Sequence, residues 1–289
     1  INKKGKSFYF CWFFFITFVI FLYGPTFTIV LLSFQGPEGG LTFPMNGFSF
    51  HWFEKLWEGG GYVDIGSAFR RSILLGIILM ILTVILSVST GMAFRKKFFG
   101  SNFLFFLTIS SLIVPSIILS LGVALEFRLI DETIKFIGNK YNIDWIINDF
   151  QTTLNMFSSG LGAQLTWTLP FGLLIMFAIF NRFDKSYEEA SKDLGATSWQ
   201  TFKYIVLPII APSVIGIALF GFTLSYDELA RSSQVMGATN TLPLELKGLT
   251  TTVTTPVIYA LGTLTTGISF LVIFIAICSF FIIKRKKIK

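Results

Sequence analysis

The sequence predicts an all-α membrane protein with six transmembrane helices. Of the 289 residues, 53% are hydrophobic and 13% are charged, whereas soluble domains carry about 25% charged residues. A soluble protein with buried helices would show polar faces at helical spacing, and residues 73–86 show almost none. Six uncharged runs each exceed the roughly 20 residues that cross a hydrocarbon core about 30 Å thick as a helix: 7–37, 72–94, 98–125, 150–181, 204–226 and 248–283.

Within these runs we place six crossings, at 8–32, 72–94, 103–125, 161–181, 209–227 and 262–283. The first follows Lys3, Lys4 and Lys6, as a signal peptide would, but it is too long for a signal core and lacks a small-residue cleavage site, so we expect a retained crossing. Four prolines in or beside crossings predict kinks that face protein or a cavity: Pro25, Pro115, Pro170 and Pro212. Pro115 and Pro170 are candidate gate hinges, with simple packing kinks as the alternative.

The basic residues orient the predicted helices in the membrane. Segments 1–7, 95–102, 182–208 and 284–289 hold 15 of the 23 Lys and Arg residues and 4 of the 16 Asp and Glu residues. Because Lys and Arg resist translocation, these segments and both termini are predicted to be cytoplasmic. The net charge of +7 therefore indicates membrane orientation rather than nucleic-acid binding.

Three outer segments remain, at 33–71, 126–160 and 228–261. The first contains Gly-rich turns and a short helix near His51, Trp52 and Trp57, which we expect to lie in the membrane interface. Apolar residues recur at helical spacing in the second segment and predict one or two short outer helices. The third is rich in Thr and Gly. Since no linker or internal repeat appears, residues 1–289 are predicted to form a single transmembrane domain.

The sequence contains no recognisable catalytic or metal-binding constellation. Cys11 and Cys278 lie inside predicted crossings and cannot build a zinc site. Gly5, Lys6 and Ser7 match only the end of a phosphate-binding loop and lead directly into a crossing. We therefore expect no metal, no bound cofactor and no enzymatic chemistry in this chain.

Residues 186–208, SYEEASKDLGATSWQTFKYIVLP, form a charged segment between two apolar runs, and we call this segment the elbow. Ser186 and Glu189 fit a capping box, which predicts a first helical arm over Tyr187–Leu194. Gly195 then supplies the left-handed conformation that ends many helices.

The second arm of the elbow begins with another capping pattern. Thr197 and Gln200 fit a capping box ahead of a helix over Ser198–Val206, and Pro208 is expected to end or kink that helix. Two capped arms around one glycine favour a shaped docking element over an ordinary solvated loop.

The elbow resembles the signature of the inner-membrane subunits of ABC importers, which reads E-A-A, three residues, G, nine residues, I-x-L-P. Ser191 stands where the second alanine is usual, and the small size of that residue is kept. The resemblance implies a type I ABC importer permease (MetI-like) fold with a core of about 72–283, in which the elbow is the coupling helix. The implied coupling residues are Glu189, Ala190, Ser191, Leu194, Gly195, Ile205, Leu207 and Pro208.

The same resemblance implies partners and a cellular location. It implies a cytosolic ABC ATPase dimer that carries ATP and Mg²⁺, a second permease subunit or a copy of this chain, and an extracytoplasmic substrate-binding protein. The location implied is the bacterial inner membrane, with the lipid bilayer as the surrounding partner and with no role for nucleic acid.

Within this family, the chain looks similar to the spermidine/putrescine-type permeases. The resemblance runs from Ser72 to the C terminus and is strongest over 169–264. It rests on the stretches TLPFGLLIMFAIFNRFD, EEASKDLGATSW, FTLSYDELARSSQV and NTLPLELKGL. Glu228 stands where the subgroup usually has a second aspartate, so the charge is retained. The cargo that the resemblance implies is a polyamine.

A substrate path is predicted at the outer end of the fifth crossing. Asp227 and Glu228 follow this crossing directly, and carboxylates at membrane depth usually face water or a partner. Tyr226 and Trp167 are candidates for cation–π contact with ammonium groups. As alternatives, the carboxylates mark the end of the crossing or pair with Arg231, and the aromatic rings belong to the interface belt.

Other functions remain open from the residues alone. Thiamine, ferric iron, phosphonate or an osmolyte are alternative cargoes for the same architecture. A secondary transporter or channel would usually carry charges deep in its crossings and would lack the elbow. A membrane enzyme would need a constellation of catalytic residues.

Overall fold

Most of the described part of the chain is helical, as expected where lipid offers no hydrogen-bond partner to the backbone. The structure is a computed structural model that describes residues 5–58, 65–252 and 255–288. Two π-helical turns, Met156–Gly160 and Phe202–Val206, precede α7 and α10. The α-helices are α1 Lys6–Leu32, α2 His51–Trp57, α3 Ile65–Phe94, α4 Ser101–Ser110, α5 Ser116–Tyr141, α6 Asp144–Asn148, α7 Leu161–Phe180, α8 Ser186–Asp193, α9 Ser198–Thr201, α10 Leu207–Tyr226, α11 Leu242–Thr252 and α12 Val257–Ile288.

Five predicted crossings each lie inside a single helix, with at most one residue beyond its end: those in α1, α3, α7, α10 and α12. In the described ranges, four helical spans are long and apolar enough to cross a bilayer: Ser7–Leu32, Ile65–Phe94, Met156–Phe180 and Ser198–Tyr226. The six-crossing arrangement as a whole stays a prediction.

The prediction of one helix over the third crossing, 103–125, is wrong. α4 ends at Ser110, and α5 starts only at Ser116, with Pro115 as its N-cap in an extended conformation. Proline cannot donate a backbone hydrogen bond, and it disfavours the helical conformation in the residue before it, so the helix breaks here.

The segment after this crossing, which was predicted to be an outer segment, is also organised differently from the prediction. α5 continues far beyond the predicted crossing and ends where Asn142 adopts a left-handed conformation with φ of 50°. The first of the predicted outer helices is thus the continuation of α5. The short helix α6 follows it, and the short helix predicted near His51 is present as α2.

The chain divides into two compact units. The first comprises Ile1–Asp64 and Leu246–Phe274, and the second comprises Ile65–Glu245 and Ile275–Lys289. In the first unit, α1 exposes most of its aromatic side chains, as a lipid-facing helix does.

The turn after α1 is ordered by one buried amide. Gln35 is fully buried; its side-chain oxygen accepts a hydrogen bond from the N–H of Asn46 at 2.7 Å, and its Nε2 donates to the carbonyl of Gly40 at 3.3 Å. The hydroxyl of Tyr259 in α12 donates to the carbonyl of Leu41 at 2.8 Å, which ties this turn to α12.

Helices α3, α7 and α10 form the core of the second unit. Small residues allow close contact between them: a Cβ atom on Gly172 would lie 2.0 Å from Oγ of Ser87, and one on Gly91 would lie 2.7 Å from Cβ of Met176. Such small residues are typical of helix packing within membranes. One buried apolar cluster of this core consists of Val88, Met176, Phe180, Val206, Ile210 and Ile217.

Buried polar side chains connect the same helices. The hydroxyl of Thr83 in α3 donates to that of Thr168 in α7 at 2.8 Å. The amide of Gln164 accepts from Ser225 at 2.6 Å and donates to Ser232 at 2.8 Å. These bonds satisfy groups that could find no water in a bilayer.

The close contact at Gly172 predicts a stability difference between two glycine substitutions. Gly172→Ala should lower the free energy of unfolding by about 1–3 kcal/mol, because the added methyl group overpacks the contact with Ser87. Gly216→Ala is the matched control: no atom lies within 4 Å of its added Cβ, so its effect should stay within about 1 kcal/mol and favour the helix. Unfolding by SDS titration in mixed micelles measures both, and equal stability of the two variants would contradict the packing.

Candidate functional site

The first arm of the elbow ends in a Schellman motif at Gly195. After α8, Gly195 adopts a φ of 81°. The N–H of Ala196 donates to the carbonyl of Ser191 at 3.0 Å, and the N–H of Gly195 donates to the carbonyl of Lys192 at 2.8 Å. These are the two bonds that define the motif. The predicted left-handed glycine is confirmed.

The second arm of the elbow begins with the predicted capping box. The N–H of Gln200 donates to the hydroxyl of Thr197 at 3.3 Å, and the N–H of Thr197 donates to the side-chain oxygen of Gln200 at 2.8 Å. Both ends of the joint are therefore capped by local hydrogen bonds, which fix the direction of the chain on either side of Gly195.

The capping box predicted at Ser186 is wrong. The N-cap of α8 is Lys185, which makes no side-chain cap, and the N–H of Ser186 donates to Oδ1 of Asp184 at 2.9 Å. A carboxylate two residues upstream is a charge-assisted acceptor and satisfies the N–H that the box with Glu189 would have used. This bond also lowers the pKa of the Asp184 carboxyl.

Pro208 does not end the second arm. The chain passes from α9 through the π-helical turn into α10, so that Ser198–Tyr226 is one continuous helical span of 29 residues. Pro208 lies at the start of α10, directly after the π-helical turn, and the π turn changes the backbone hydrogen-bond pattern where the proline lacks an N–H. The second arm is thus the extension of the fifth predicted crossing.

The predicted coupling residues separate into an exposed and a buried group. Glu189, Ala190, Leu194 and Gly195 are exposed on the first arm and at the joint. The others face the protein to different degrees: Ser191 is buried, and Ile205, Leu207 and Pro208 are partly buried.

Ser191 joins the two arms. Its hydroxyl donates to the carbonyl of Glu188 at 2.8 Å and lies 2.8 Å from the hydroxyl of Thr201, which is also buried. The serine that replaces the usual alanine is therefore small enough to fit between the arms, and it adds a hydrogen bond there that alanine could not make.

The tip of the elbow presents apolar side chains outside the buried core. Leu194 is 90% exposed and Trp199 is 68% exposed. Both lie next to the capped joint, so their positions are set by a rigid backbone. Exposed apolar side chains grouped on one surface mark interaction sites for other proteins.

A salt bridge that sequence reasoning missed holds the first arm in place. Nη1 and Nη2 of Arg95 donate to Oε1 and Oε2 of Glu188 at 2.7 and 2.8 Å, and the guanidinium lies 5.0 and 5.1 Å from the ring centroids of Phe180 and Phe183. The hydrogen bonds from Arg95 lower the pKa of the Glu188 carboxyl, so the pair remains charged at neutral pH. In the sequence, Arg95 appeared only as an orientation marker.

A second arginine lies near the C-terminal end of α10. Arg231 is fully buried. Its Nη2 donates to the carbonyl of Ser111 at 2.9 Å, and its Nε donates to Oγ of Ser116 at 3.3 Å. Its Nη1 donates to Oγ1 of Thr166. Ser111 and Ser116 flank the break between α4 and α5. Arg231 therefore joins the two ends of the broken third crossing to α7.

Three of the predicted substrate-path residues are adjacent to Arg231 in sequence or in space. The guanidinium lies 4.8 Å from the ring centroid of Trp167, so this ring already makes a cation–π contact within the protein. Oε1 of Glu228 accepts from the N–H of Arg231 at 2.8 Å. Asp227 is exposed.

The fourth of these residues, Tyr226, is buried and stacks on Phe222 with ring centroids 5.7 Å apart. Its hydroxyl has no hydrogen-bond partner among the residues that the structure describes. The path roles of all four side chains stay predictions.

The comparisons with known proteins identify the family of this chain. The model of the family "binding-protein-dependent transport system inner membrane component" matches residues 84–286, which include the whole elbow. The spermidine/putrescine transport system permease protein PotC of Haemophilus influenzae is 28% identical over 84% of this chain and 86% of its own length. The putrescine transport system permease protein PotI of Escherichia coli is 29% identical over 89% of this chain and 85% of its own length.

A more distant relative is the PotC homologue of Mycoplasma pneumoniae, which is 24% identical over 81% of this chain and 77% of its own length. The family match extends from within α3 to the end of α12 and thus covers the core helices, the elbow and the residues around Arg231. The chain therefore belongs to the family of binding-protein-dependent transport system inner membrane components and is a multi-pass permease of the bacterial inner membrane.

Proposed function

We propose that this permease is the transmembrane subunit of an ATP-driven importer that moves polyamines inward, after an extracytoplasmic binding protein has delivered them. The ATP-driven part of the proposal rests on the first arm, which is exposed, ends at a rigid joint and presents Leu194 at its tip. The choice of a polyamine as the cargo rests on the names of the relatives, since both PotC and PotI are named as polyamine permeases.

The proposed assembly places six crossings in the membrane with both termini in the cytoplasm. The elbow, within a segment rich in Lys and Arg, then faces the cytoplasm and a cytosolic ATPase dimer. ATP and Mg²⁺ bind to that dimer, and hydrolysis belongs to it rather than to this chain. In this proposal residues 1–289 form a single transmembrane domain, and a second permease subunit, or a copy of this one, pairs with it.

The continuity of the second arm with α10 suggests how ATPase closure reaches the outer side. A straight helix of 29 residues is about 44 Å long, at 1.5 Å per residue. Tilting its inner end at the elbow therefore displaces its outer end, where Tyr226 and Asp227 lie. α10 packs against α3 and α7, so this tilt would change the arrangement of the core and alternate the access of a central path.

In this proposal, Asp227 attracts the ammonium groups of the polyamine near the outer end of α10. Arg231 is held in place by hydroxyl and carbonyl groups. Its positive charge limits the number of ammonium groups that can approach Trp167, so Asp227 supplies the dominant attraction.

The first test is the strained conformation at the joint. Gly195→Val should add about 1–2 kcal/mol of backbone strain, since a left-handed φ is unfavourable for a residue with a Cβ. We expect ATP hydrolysis in proteoliposomes to continue while substrate uptake falls, because the direction of the first arm is lost.

A matched control for this substitution is Gly100→Val. Gly100 has the same φ of 81° and also has open space around its Cβ position, but it lies ahead of α4. It should lose similar stability and keep uptake coupled to hydrolysis. Normal uptake by Gly195→Val would contradict the role of the joint.

The second test concerns docking. Leu194→Ala should weaken binding of the purified ATPase to the permease in nanodiscs about tenfold or more, as expected for an anchoring side chain at an interface. Leu129→Ala is the control, since Leu129 is also exposed but lies on α5. Equal ATPase affinity for wild type and Leu194→Ala, measured by surface plasmon resonance, would show that Leu194 is not an anchor.

The third test concerns the cargo. Proteoliposomes with the full assembly and its binding protein should take up radiolabelled spermidine when ATP is supplied, and unlabelled putrescine should compete while thiamine should not. Competition by thiamine, ferric iron, phosphonate or an osmolyte in place of putrescine would replace the cargo and leave the importer intact.

In the same assay, Asp227→Asn should lower uptake at limiting spermidine about fivefold, the effect of losing about 1 kcal/mol of charge attraction. Asp144→Asn removes an exposed carboxylate from α6 and serves as the control. Equal uptake by the two variants would remove Asp227 from the path.

A further inference from the structure

The elbow has covalent connections to two of the three core helices. Residues 181–185 connect its first arm to α7, and its second arm continues into α10. α3 has no such connection, because the chain leaves it through residues 95–100 and enters α4. A displacement of the first arm therefore reaches α7 and α10 along the chain and needs a non-covalent contact to reach α3.

Besides the packing of α3 against α7 and α10, Arg95, the residue that follows α3, contacts the first arm directly. Its guanidinium forms two parallel hydrogen bonds of 2.7 and 2.8 Å with the carboxylate of Glu188 in the first turn of α8. The exposed fractions of the two side chains are 12% and 18%, so water competes little for the pair. Paired bonds of this kind restrict orientation as well as distance.

Aromatic rings hold the same guanidinium from another side. The ring of Phe180, at the end of α7, and the ring of Phe183, in the connection to α8, lie 5.0 and 5.1 Å from Cζ of Arg95. A planar guanidinium can stack on rings and hold a carboxylate in the same conformation, which a lysine ammonium cannot do. Arg95 thus contacts α7, the connection and α8 at once.

We propose that Arg95 and Glu188 are positioning residues that form a strut, through which movement of the first arm displaces α3 together with α7. The proposal rests on the proposed function, because it assigns the strut to the transmission of ATPase movement. Without the strut, the first arm would move with α7 and α10 while α3 lagged behind, and hydrolysis would proceed with less transport.

The strut predicts a specific uncoupling. Arg95→Gln and Glu188→Gln should each lower the number of spermidine molecules taken up per ATP hydrolysed about tenfold, within the range of measured coupling between sites. The double variant should lose no more than either single variant, since both remove the same contact. Lys97→Gln, a change at an exposed basic residue of the same loop, should leave this ratio unchanged.

A covalent replacement separates transmission from a merely structural role. In a background with Cys11→Ser and Cys278→Ser, the pair Arg95→Cys and Glu188→Cys is bridged with a short bifunctional methanethiosulfonate reagent. Uptake per ATP should rise towards the wild-type value when the bridge is present and fall again in the same preparation after reduction. This comparison within one sample does not depend on how well the variant folds relative to wild type.

An unchanged uptake ratio in both single variants, or a bridged sample no better coupled than the reduced one, would overturn the strut. Losses that multiply in the double variant would do the same, because they would show independent roles. A failure of the proposed function would be distinguishable from a failure of the strut, because wild-type permease would then neither co-purify with an ATPase nor take up spermidine.

Discussion

Away from water, a polar group without a hydrogen-bond partner in the protein is costly, and the main features of the structure follow from that constraint. It accounts for the helical backbone and for the hydroxyl and amide pairs between α3, α7 and α10. It also explains how the break at Pro115 is tolerated. Arg231 donates to the carbonyl of Ser111 and to the hydroxyl of Ser116, so groups on both sides of the break are satisfied by one side chain.

The elbow follows the same principle on a smaller scale. The Schellman bonds at Gly195, the capping box at Thr197 and the contact between the hydroxyls of Ser191 and Thr201 satisfy its polar groups locally. Its backbone can therefore be rigid while Leu194 stays exposed. Rigidity and an exposed apolar tip are what a docking element needs if it is to transmit a movement rather than absorb it.

In the proposed importer, these local features of the permease act together to transmit movement. The second arm and α10 form one span, and the bidentate contact of Arg95 with Glu188 adds α3 to the helices that the first arm can move. In this arrangement the chain contributes no bond-breaking chemistry. It converts a displacement at one surface into a rearrangement of packed helices, and the energy comes from the partner that hydrolyses ATP.

The sequence by itself determined the features that depend on local composition and spacing. Long uncharged runs predicted five helices closely, and the positions of Gly195 and Thr197 predicted the joint, because helix length, left-handed glycine and capping depend on neighbouring residues. The N–H of Ser186 is bonded by Asp184 instead of Glu189, and the helix continues past Pro208 after a π-helical turn, since several local solutions compete at each of these positions. Only the tertiary structure decided the contacts of Arg95 with Glu188 and of Arg231 with Ser111, which join residues about a hundred positions apart. No local pattern specifies such pairs, because they form only when packing brings the helices together and removes water from the charged groups.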